Sequence, residues 1–323
     1  MYKLKQSPED FIVKEISNIE VTGKGDYSYF LLKKKNYNTL RAIENIAKSL
    51  KIPSKFIGFA GNKDKIAITE QVISIKAAGK ERTERLQLKD LNLTFLGKGN
   101  KPVSLGDLTG NEFIITVRNL TKKETENLQN KIKNKKLLIP NYFGEQRFSK
   151  NNKSIGKHLI KKDFSKAIEL ILKNNSDYNP EINEHLSKAQ NDFIGALRNI
   201  PKKLLKLYVH SYQSYLWNQT VEEYINKNGL KNITIPIIGF GTEIYDKQIN
   251  EIISKIIKKE NIDYRDFIIR ELPELSAEGQ ERNMLIELTD LKIISKEKDK
   301  ITLSFSLPKG CYATIVIKFL IIL

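Results

Sequence analysis

The chain has 323 residues, 40% of them hydrophobic and 29% charged; these near-globular proportions exclude a wholly disordered chain, and the length favours two domains over one. Its 55 Lys and Arg against 38 Asp and Glu give a formal charge of +17, an excess that attracts polyanions, with nucleic acid the first candidate; an A+T-rich genome, which inflates Lys, Asn and Ile, is the bland alternative. One cysteine, Cys311, excludes an internal disulfide and a cysteine zinc cluster. The N-terminus lacks the pattern of a signal peptide, and no run approaches the ~18 apolar residues of a membrane helix. A soluble, cytoplasmic protein is expected, with a monomer the simplest state.

In chain order, "DFIVKEI" alternates Phe11, Val13 and Glu15 against Ile12, Lys14 and Ile16, and "YSYFLLKKK" has strand content ending in a basic turn. "TLRAIENIAKSLKI" sets Leu40, Ile43, Ile46, Ala47 and Leu50 at helical spacing behind Thr39 as N-cap. A loop follows, opened by Gly58 and Gly61. "AITEQVISIKA" and "NEFIITVRNL" read as further strands, the latter with Phe113, Ile115 and Val117 on one face, and a helix is expected from Lys122 to Lys135. From Asp163 to about Gln280 helical patterns dominate, with a strand-like stretch over Pro236–Tyr245. "DKITLSFSLPKGCYATIVIKFL" then returns to period two, with Ile301, Leu303, Phe305 and Leu307 on one side. The expected architecture is α+β: a sheet domain in residues 1–162, a mostly helical insertion in 163–280, and C-terminal strands in 281–323 that complete the first domain.

Several chemistries lose support at once. There is no phosphate loop, no G-x-G-x-x-G opening a helix and no H-E-x-x-H, and His158, His185 and His210 are scattered. Two segments stand out instead. In "FAGNKDKIAITEQ" (59–71), Asp64 lies between Lys63 and Lys65, where nearby positive charge favours the carboxylate. A bare "KDK" is also what a turn aspartate looks like, but here Thr69, Glu70 and Gln71 follow in position to form a polar network holding the loop. In "NYFGEQRF" (141–148), Tyr142, Phe143 and Phe148 are interleaved with Asn141, Glu145, Gln146 and Arg147 around Gly144. Rings stack on unstacked bases, amides read base edges and Arg binds phosphate, a mixture suited to single-stranded or flipped RNA; a core aromatic pair with a surface Arg fits the same string. "YVHSYQSYLWNQ" (208–219) carries Tyr208, Tyr212, Tyr215 and Leu216 at helical spacing, which reads as packing.

Together these segments resemble the TruD family of tRNA pseudouridine synthases. "PEDFIVKEI", "KKNYNT", "FAGNKDKIAITEQ", "GNEFIITVRN", "NYFGEQRF", "SYQSYLWNQ" and "LPKGCYATIVIKFL" follow in family order, "AGNKDKIAITEQ" and "NYFGEQRF" being the specific ones. The resemblance implies a pseudouridine-synthase-like, mainly antiparallel sheet interrupted by the insertion, with Asp64 as catalytic nucleophile. It assigns substrate contacts to Phe11, Asn141 and Tyr312, base packing to Phe143 and a basic site residue to Lys5. Lys63, Gln71, Gln146, Arg147 and Arg282 complete the candidate substrate-binding set. The implied reaction converts uridine to pseudouridine in tRNA, at uridine-13 of the D arm, and needs no cofactor and no metal. Asp64 would add at C1′ or act as base at C2′ through a glycal; the sequence leaves both open. Three features depart from the family pattern: Tyr312 stands where Phe is usual, Asn283 in "ERNM" where a second Arg is usual, and the helical region is short. A non-catalytic RNA-binding or RNA-chaperone protein on the same scaffold is the alternative reading.

Overall fold

The computed structural model describes residues 2–76, 78–132 and 137–322. Along the chain come β1 (Phe11–Ile16), β2 (Tyr27–Lys35), α1 (Thr39–Leu50), β3 (Ile57–Phe59), β4 (Ile68–Lys76), α2 (Lys80–Glu84), β5 (Leu91–Gly99), β6 (Gly110–Val117), α3 (Lys122–Ile132) and β7 (Leu137–Pro140). Then follow α4 (Asn152–Ile160), α5 (Phe164–Lys173), α6 (Asn179–Lys188), α7 (Phe193–Arg198), α8 (Lys202–Asn228), β8 (Thr234–Ile237), α9 (Lys247–Glu260), β9 (Gln280–Asn283), β10 (Leu285–Lys296), β11 (Ile301–Pro308) and α10 (Ala313–Ile321). The chain divides into two compact units, Met1–Ile139 with Glu287–Leu323, and Pro140–Ile286.

The first unit is built on a sheet of order β5-β2-β4-β1-β6-β11-β10-β7, with β3 pairing on β4. The β1–β4 pair is parallel; the β1–β6, β6–β11, β10–β11, β2–β4, β2–β5 and β3–β4 pairs are antiparallel. This is the mixed, mainly antiparallel sheet expected of an α+β fold. Register decides which side chains share a face. Val13 pairs with Thr69 and Phe113, and Gln71 with Leu32, so Phe11, Val13 and Glu15 lie on the same face as Thr69, Gln71, Leu32 and Lys34. On that face Phe30, Leu32, Ile73 and Ile75 pack under Ala42, Ile43, Ile46, Ala47 and Leu50 of α1. Each of the larger aliphatic side chains contributes on the order of 1.5–3 kcal/mol by burial. Phe11 packs edge-on to Phe113, which stacks on Phe305.

Some local expectations change. The N-cap of α1 is Asn38, whose side chain accepts from the Arg41 N–H; Thr39 is the first helical residue, buried and engaged elsewhere. Leu40 is half exposed, and Ala42 takes its place in the core. Gly58 lies within β3 rather than in the loop, where a Cβ would meet the Val103 carbonyl oxygen at 2.2 Å; glycine allows that close approach. The period-two reading of the C-terminus ends at Pro308. After a turn through Gly310 (φ +79°), residues Ala313, Val316, Ile317, Leu320 and Ile321 are buried at helical spacing in α10. The β-branched run "TIVI" imitates a strand because its apolar residues are too few to show their period. Residues 133–135, expected to extend α3, lie outside the described residues.

The second unit is mostly helical around α8, a 27-residue helix that packs against α4, α9 and β8. Leu205, Tyr208, Val209, Tyr212, Leu216, Trp217, Val221 and Tyr224 of α8 are buried, so the tyrosine pattern is largely core. A Cβ at Gly156 of α4 would meet the Tyr208 carbonyl oxygen at 2.1 Å; the glycine is what lets these two helices approach. Asp163, Asp192 and Asp246 cap α5, α7 and α9 through bonds from Lys166, Gly195 and Ile249 N–H groups. The strand expected over Pro236–Tyr245 is confined to β8, which pairs with β9. Among the described residues no helix is long and apolar enough to cross a membrane.

Candidate active site

In the first unit, residues 60–67 join β3 to β4 and carry Asp64. Nearly every part of this loop is tied down. The Ala60 carbonyl accepts from Gly106 N (2.8 Å), the Gly61 carbonyl from Gln71 Nε2 (3.1 Å), and the Ala67 carbonyl from Asn36 N (3.0 Å). Lys63 N donates to Thr39 Oγ1 (3.0 Å), and Lys34 Nζ donates to the Asp64 carbonyl (2.8 Å). The Asp64 side chain is 36% exposed and pairs with Lys5 Nζ at 3.2 Å. The carboxylate is thus presented to solvent from a pinned backbone.

Beneath the loop runs a buried polar row across four strands. Glu15 of β1 is fully buried; Lys63 Nζ reaches its Oε2 at 2.8 Å and Asn111 Oδ1 of β6 at 2.7 Å, while Val72 N donates to Glu15 Oε1 (3.2 Å). Gln71 and Thr69 of β4 and Lys34 of β2 are also buried on this face. The Gln71 Oε1 and Thr69 Oγ1 atoms lack a hydrogen-bond partner there. Burial pulls the Lys34 ammonium down to about 8, with the Asp64 carboxylate working in the opposite direction and Lys63 adding to the fall.

The expected site residues of this unit therefore take different places. Lys5, not Lys63, is the cation paired with the Asp64 carboxylate; Lys63 faces inward to Glu15, because a buried carboxylate requires a partner, and Lys65 is exposed. Gln71 braces the loop and is fully buried. Phe11 is 2% exposed, with Lys5 Nζ 4.1 Å from its ring centroid. The segment carrying Lys5 and Phe11 is fastened by Asp10, which accepts a forked pair of bonds from Arg118 and the N–H groups of Gln6 and Ser7. Although burial opposes it, the Arg118 guanidinium holds the Asp10 carboxyl below its usual value. Tyr312 is half-buried at the start of α10, five residues beyond Leu307, whose register partner is Asn111.

The second unit holds the other candidates. Phe143 has its backbone clasped by Asn218 of α8, which accepts from Phe143 N and donates to Phe143 O, both at 2.9 Å. Its ring meets Trp217 edge-on at 5.5 Å, and the Arg282 guanidinium lies 4.2 Å from its centroid. Arg282 also donates to the Asn141 carbonyl (Nε 3.2 Å, Nη2 3.0 Å) and to Asn141 Oδ1 (2.6 Å). Asn141 is buried, and its Nδ2 donates to the Asn283 carbonyl at 3.1 Å. Asn283 itself, at the position where the sequence departs from the family, accepts from Thr234 Oγ1 through its side chain. Arg147 reaches Ser214 Oγ at 3.4 Å and stands 6.0 Å from the Phe143 centroid; Gln146 is exposed. Asn141, Phe143, Arg147 and Arg282 thus converge, with Gln146 at the edge of the group.

Reading the sequence alone missed Glu15, Lys34, Asn111 and Asn218. Two of them carried a signal: Glu15 continues the alternation of Phe11 and Val13, and Lys34 that of Phe30 and Leu32, so each is a charged residue in a slot where a core residue belongs.

Comparison with known proteins agrees with the resemblance drawn from the motifs. The family model described as "tRNA pseudouridine synthase D (TruD)" matches residues 2–185, 172–232 and 223–320. A "tRNA pseudouridine synthase D" of Aquifex aeolicus is 30% identical, covering 98% of this chain and 97% of its own. A "Probable tRNA pseudouridine synthase D 2" of Methanocaldococcus jannaschii is 34% identical, covering 98% of this chain and 90% of its own. The crystal structure of the "Putative tRNA pseudouridine synthase D (TruD)" of Methanosarcina mazei superposes with a TM-score of 0.75 at 28% identity, over 99% of this chain and 93% of that one. On sequence and on fold, this chain belongs to the tRNA pseudouridine synthase D (TruD) family.

Proposed function

We propose that the chain isomerises uridine to pseudouridine in tRNA, with uridine-13 of the D arm as target and Asp64 as the nucleophile. The observation that carries this reading is the presentation of Asp64: a partly exposed carboxylate, paired with Lys5 at 3.2 Å, on a loop whose backbone is held by Lys34 of β2, Gln71 of β4, Thr39 of α1 and the backbone N–H groups of Asn36 and Gly106. A solvated turn aspartate has no use for such bracing; a group that must meet one atom of a bound sugar has.

The reaction breaks the N1–C1′ bond and makes a C5–C1′ bond; C5 gives up its proton and N1 gains one, so oxidation state is unchanged. Asp64 adds to C1′ as the uracil leaves, or takes the C2′ proton to give a glycal, and in both routes it acts as the anion. Lys5 lies against the carboxylate at 3.2 Å and over the Phe11 ring. The target uridine leaves its stack at a cost of a few kcal/mol, and aromatic contacts offset this by roughly 1–3 kcal/mol per base. Phe143 and Tyr312 are the rings proposed for it, and Asn141 the proposed amide contact. The +17 charge supplies affinity for the tRNA body and makes binding salt-dependent. The helical unit is proposed as the insertion that docks the tRNA. Incubation with tRNA and no added cofactor, followed by carbodiimide-dependent primer extension, tests the reading. Wild type is expected to give a pseudouridine stop that Asp64→Asn does not; a stop with both proteins, or with neither, would sink it.

A further inference from the structure

Lys34 is 1% exposed, yet carries no carboxylate partner of its own among its hydrogen bonds. Its ammonium has three protons, and the three acceptors around it are main-chain carbonyls: Tyr37 at 2.7 Å, Asp64 at 2.8 Å and Lys63 at 3.5 Å. Two of the three belong to the peptide units on either side of the Asp64 Cα. The third belongs to the turn that starts α1, where Asn45 in turn holds the Tyr37 hydroxyl. Thr39, the first residue of α1, works on the same backbone: Oγ1 accepts from Lys63 N at 3.0 Å and lies 3.4 Å from the Lys63 carbonyl. The β2–α1 connection therefore grips both peptide groups of Lys63 and the carbonyl of Asp64.

We propose that Lys34, assisted by Thr39, is a positioning residue for the reaction, fixing the Lys63–Asp64 backbone so that the Asp64 carboxylate is aimed at the sugar. This rests on the assignment of Asp64 as nucleophile. The cost side supports it. A buried ammonium is unfavourable, and burial is the largest influence on Lys34; a leucine in that slot of the sheet would serve stability better. The geometry explains what the charge does instead: an NH₃⁺ is the one side-chain group here that can donate to three converging carbonyls at once. Lys5 holds the carboxylate from the solvent side and Lys34 holds its backbone from the core side, so the two lysines restrict the anion from both ends.

The test compares Lys34→Met, which keeps length and removes the donors, with Thr39→Val, which keeps shape and is mild enough to fold. Single-turnover rate with saturating enzyme and the tRNA dissociation constant are measured for each, beside Asp64→Asn. The expected result is a fall in rate of tenfold or more for Lys34→Met and of threefold or more for Thr39→Val, with tRNA affinity within twofold of wild type in both. Rates within twofold of wild type in a folded Lys34→Met protein would overturn the proposal, as would a loss confined to affinity. If Lys34→Met does not fold, Thr39→Val decides by the same criteria. An inactive Asp64→Asn beside fully active Lys34 and Thr39 variants would overturn this inference alone; an active Asp64→Asn would overturn the nucleophile assignment.

Discussion

Replacing Lys63 by methionine isolates the buried charge pair under the Asp64 loop. In the wild-type protein the Glu15 side chain is 0% exposed and that of Lys63 7%. Removing the ammonium leaves a carboxylate that retains the Val72 N–H bond at 3.2 Å but loses its counter-charge, and leaves Asn111 Oδ1 without its donor. Breaking a buried pair on one side costs about 3–5 kcal/mol; the retained backbone bond argues for the lower end, about 3 kcal/mol. For a unit of 150–250 residues that lowers the melting temperature by roughly 6–12 °C. The double variant Lys63→Met with Glu15→Gln removes the stranded charge, so it should recover much of the loss. A double-mutant cycle should return a coupling of about 2 kcal/mol. Scanning calorimetry and urea titration, following the transition of the unit that contains the sheet, measure both. A Lys63→Met protein melting within about 2 °C of wild type, or a coupling near zero, would refute the claim that Lys63 is a structural partner of Glu15.

Other perturbations test separate parts of the account. Asn218→Ala removes both bonds to the Phe143 backbone; each such bond contributes about 0.5–1.5 kcal/mol, and the proposed base-packing role predicts a single-turnover rate lowered about tenfold, while a Phe143→Leu background should make the Asn218 change nearly silent. Lys34 also predicts a stability signature. Its folded value near 8 lies below the unfolded 10.5, so the unfolded chain binds more protons between those values and burial of the ammonium is a penalty present in full below pH 8. As pH rises from 8 to 10.5 wild type should gain about 3 kcal/mol relative to Lys34→Met; a pH-independent difference in urea midpoints would contradict the burial. Asp10→Asn, which leaves Arg118 without its forked carboxylate, should destabilise by about 1–3 kcal/mol. The Asp10 carboxyl is held below its usual 3.8, so its stabilisation is present above that value and lost as pH falls through the folded one; the gap between Asp10→Asn and wild type in thermal melts should close in acid.

The parts of the fold legible in the sequence were those whose period is long relative to the element. Ile43, Ile46, Ala47 and Leu50 define a helix over three turns, and Phe113, Ile115 and Val117 a strand. The nine-residue α10 resembles a strand in sequence because β-branching and a preceding true strand outweigh a period that only its buried face reveals. Asp64 and the Asn141–Arg147 segment stood out as candidates by their residue types, and the resemblance to the TruD family supplied the roles proposed for them. The supports of Asp64 did not. In "KKK" only Lys34 keeps the alternation of Phe30 and Leu32, and it points into the core, while Lys33 pairs with Glu70 and Lys35 with Glu9. What the alternation does not report is the Asp64 backbone waiting over that slot, which follows from the register of β2 on β4 that pairs Lys34 with Thr69. The same holds for Lys63: its neighbours in sequence suggested a partner for Asp64, whereas the fold delivers Lys5 from the N-terminal segment to that role and turns Lys63 toward Glu15.

The central claim, that Asp64 performs the isomerisation, is tested most directly by single-turnover pseudouridine formation on tRNA bearing uridine-13, with wild type and Asp64→Asn compared at matched, measured tRNA affinity. The account predicts pseudouridine at that uridine with wild type and no added cofactor, and none with Asp64→Asn although it binds the tRNA within twofold of wild type. Pseudouridine formed by Asp64→Asn at a rate near that of wild type would contradict it.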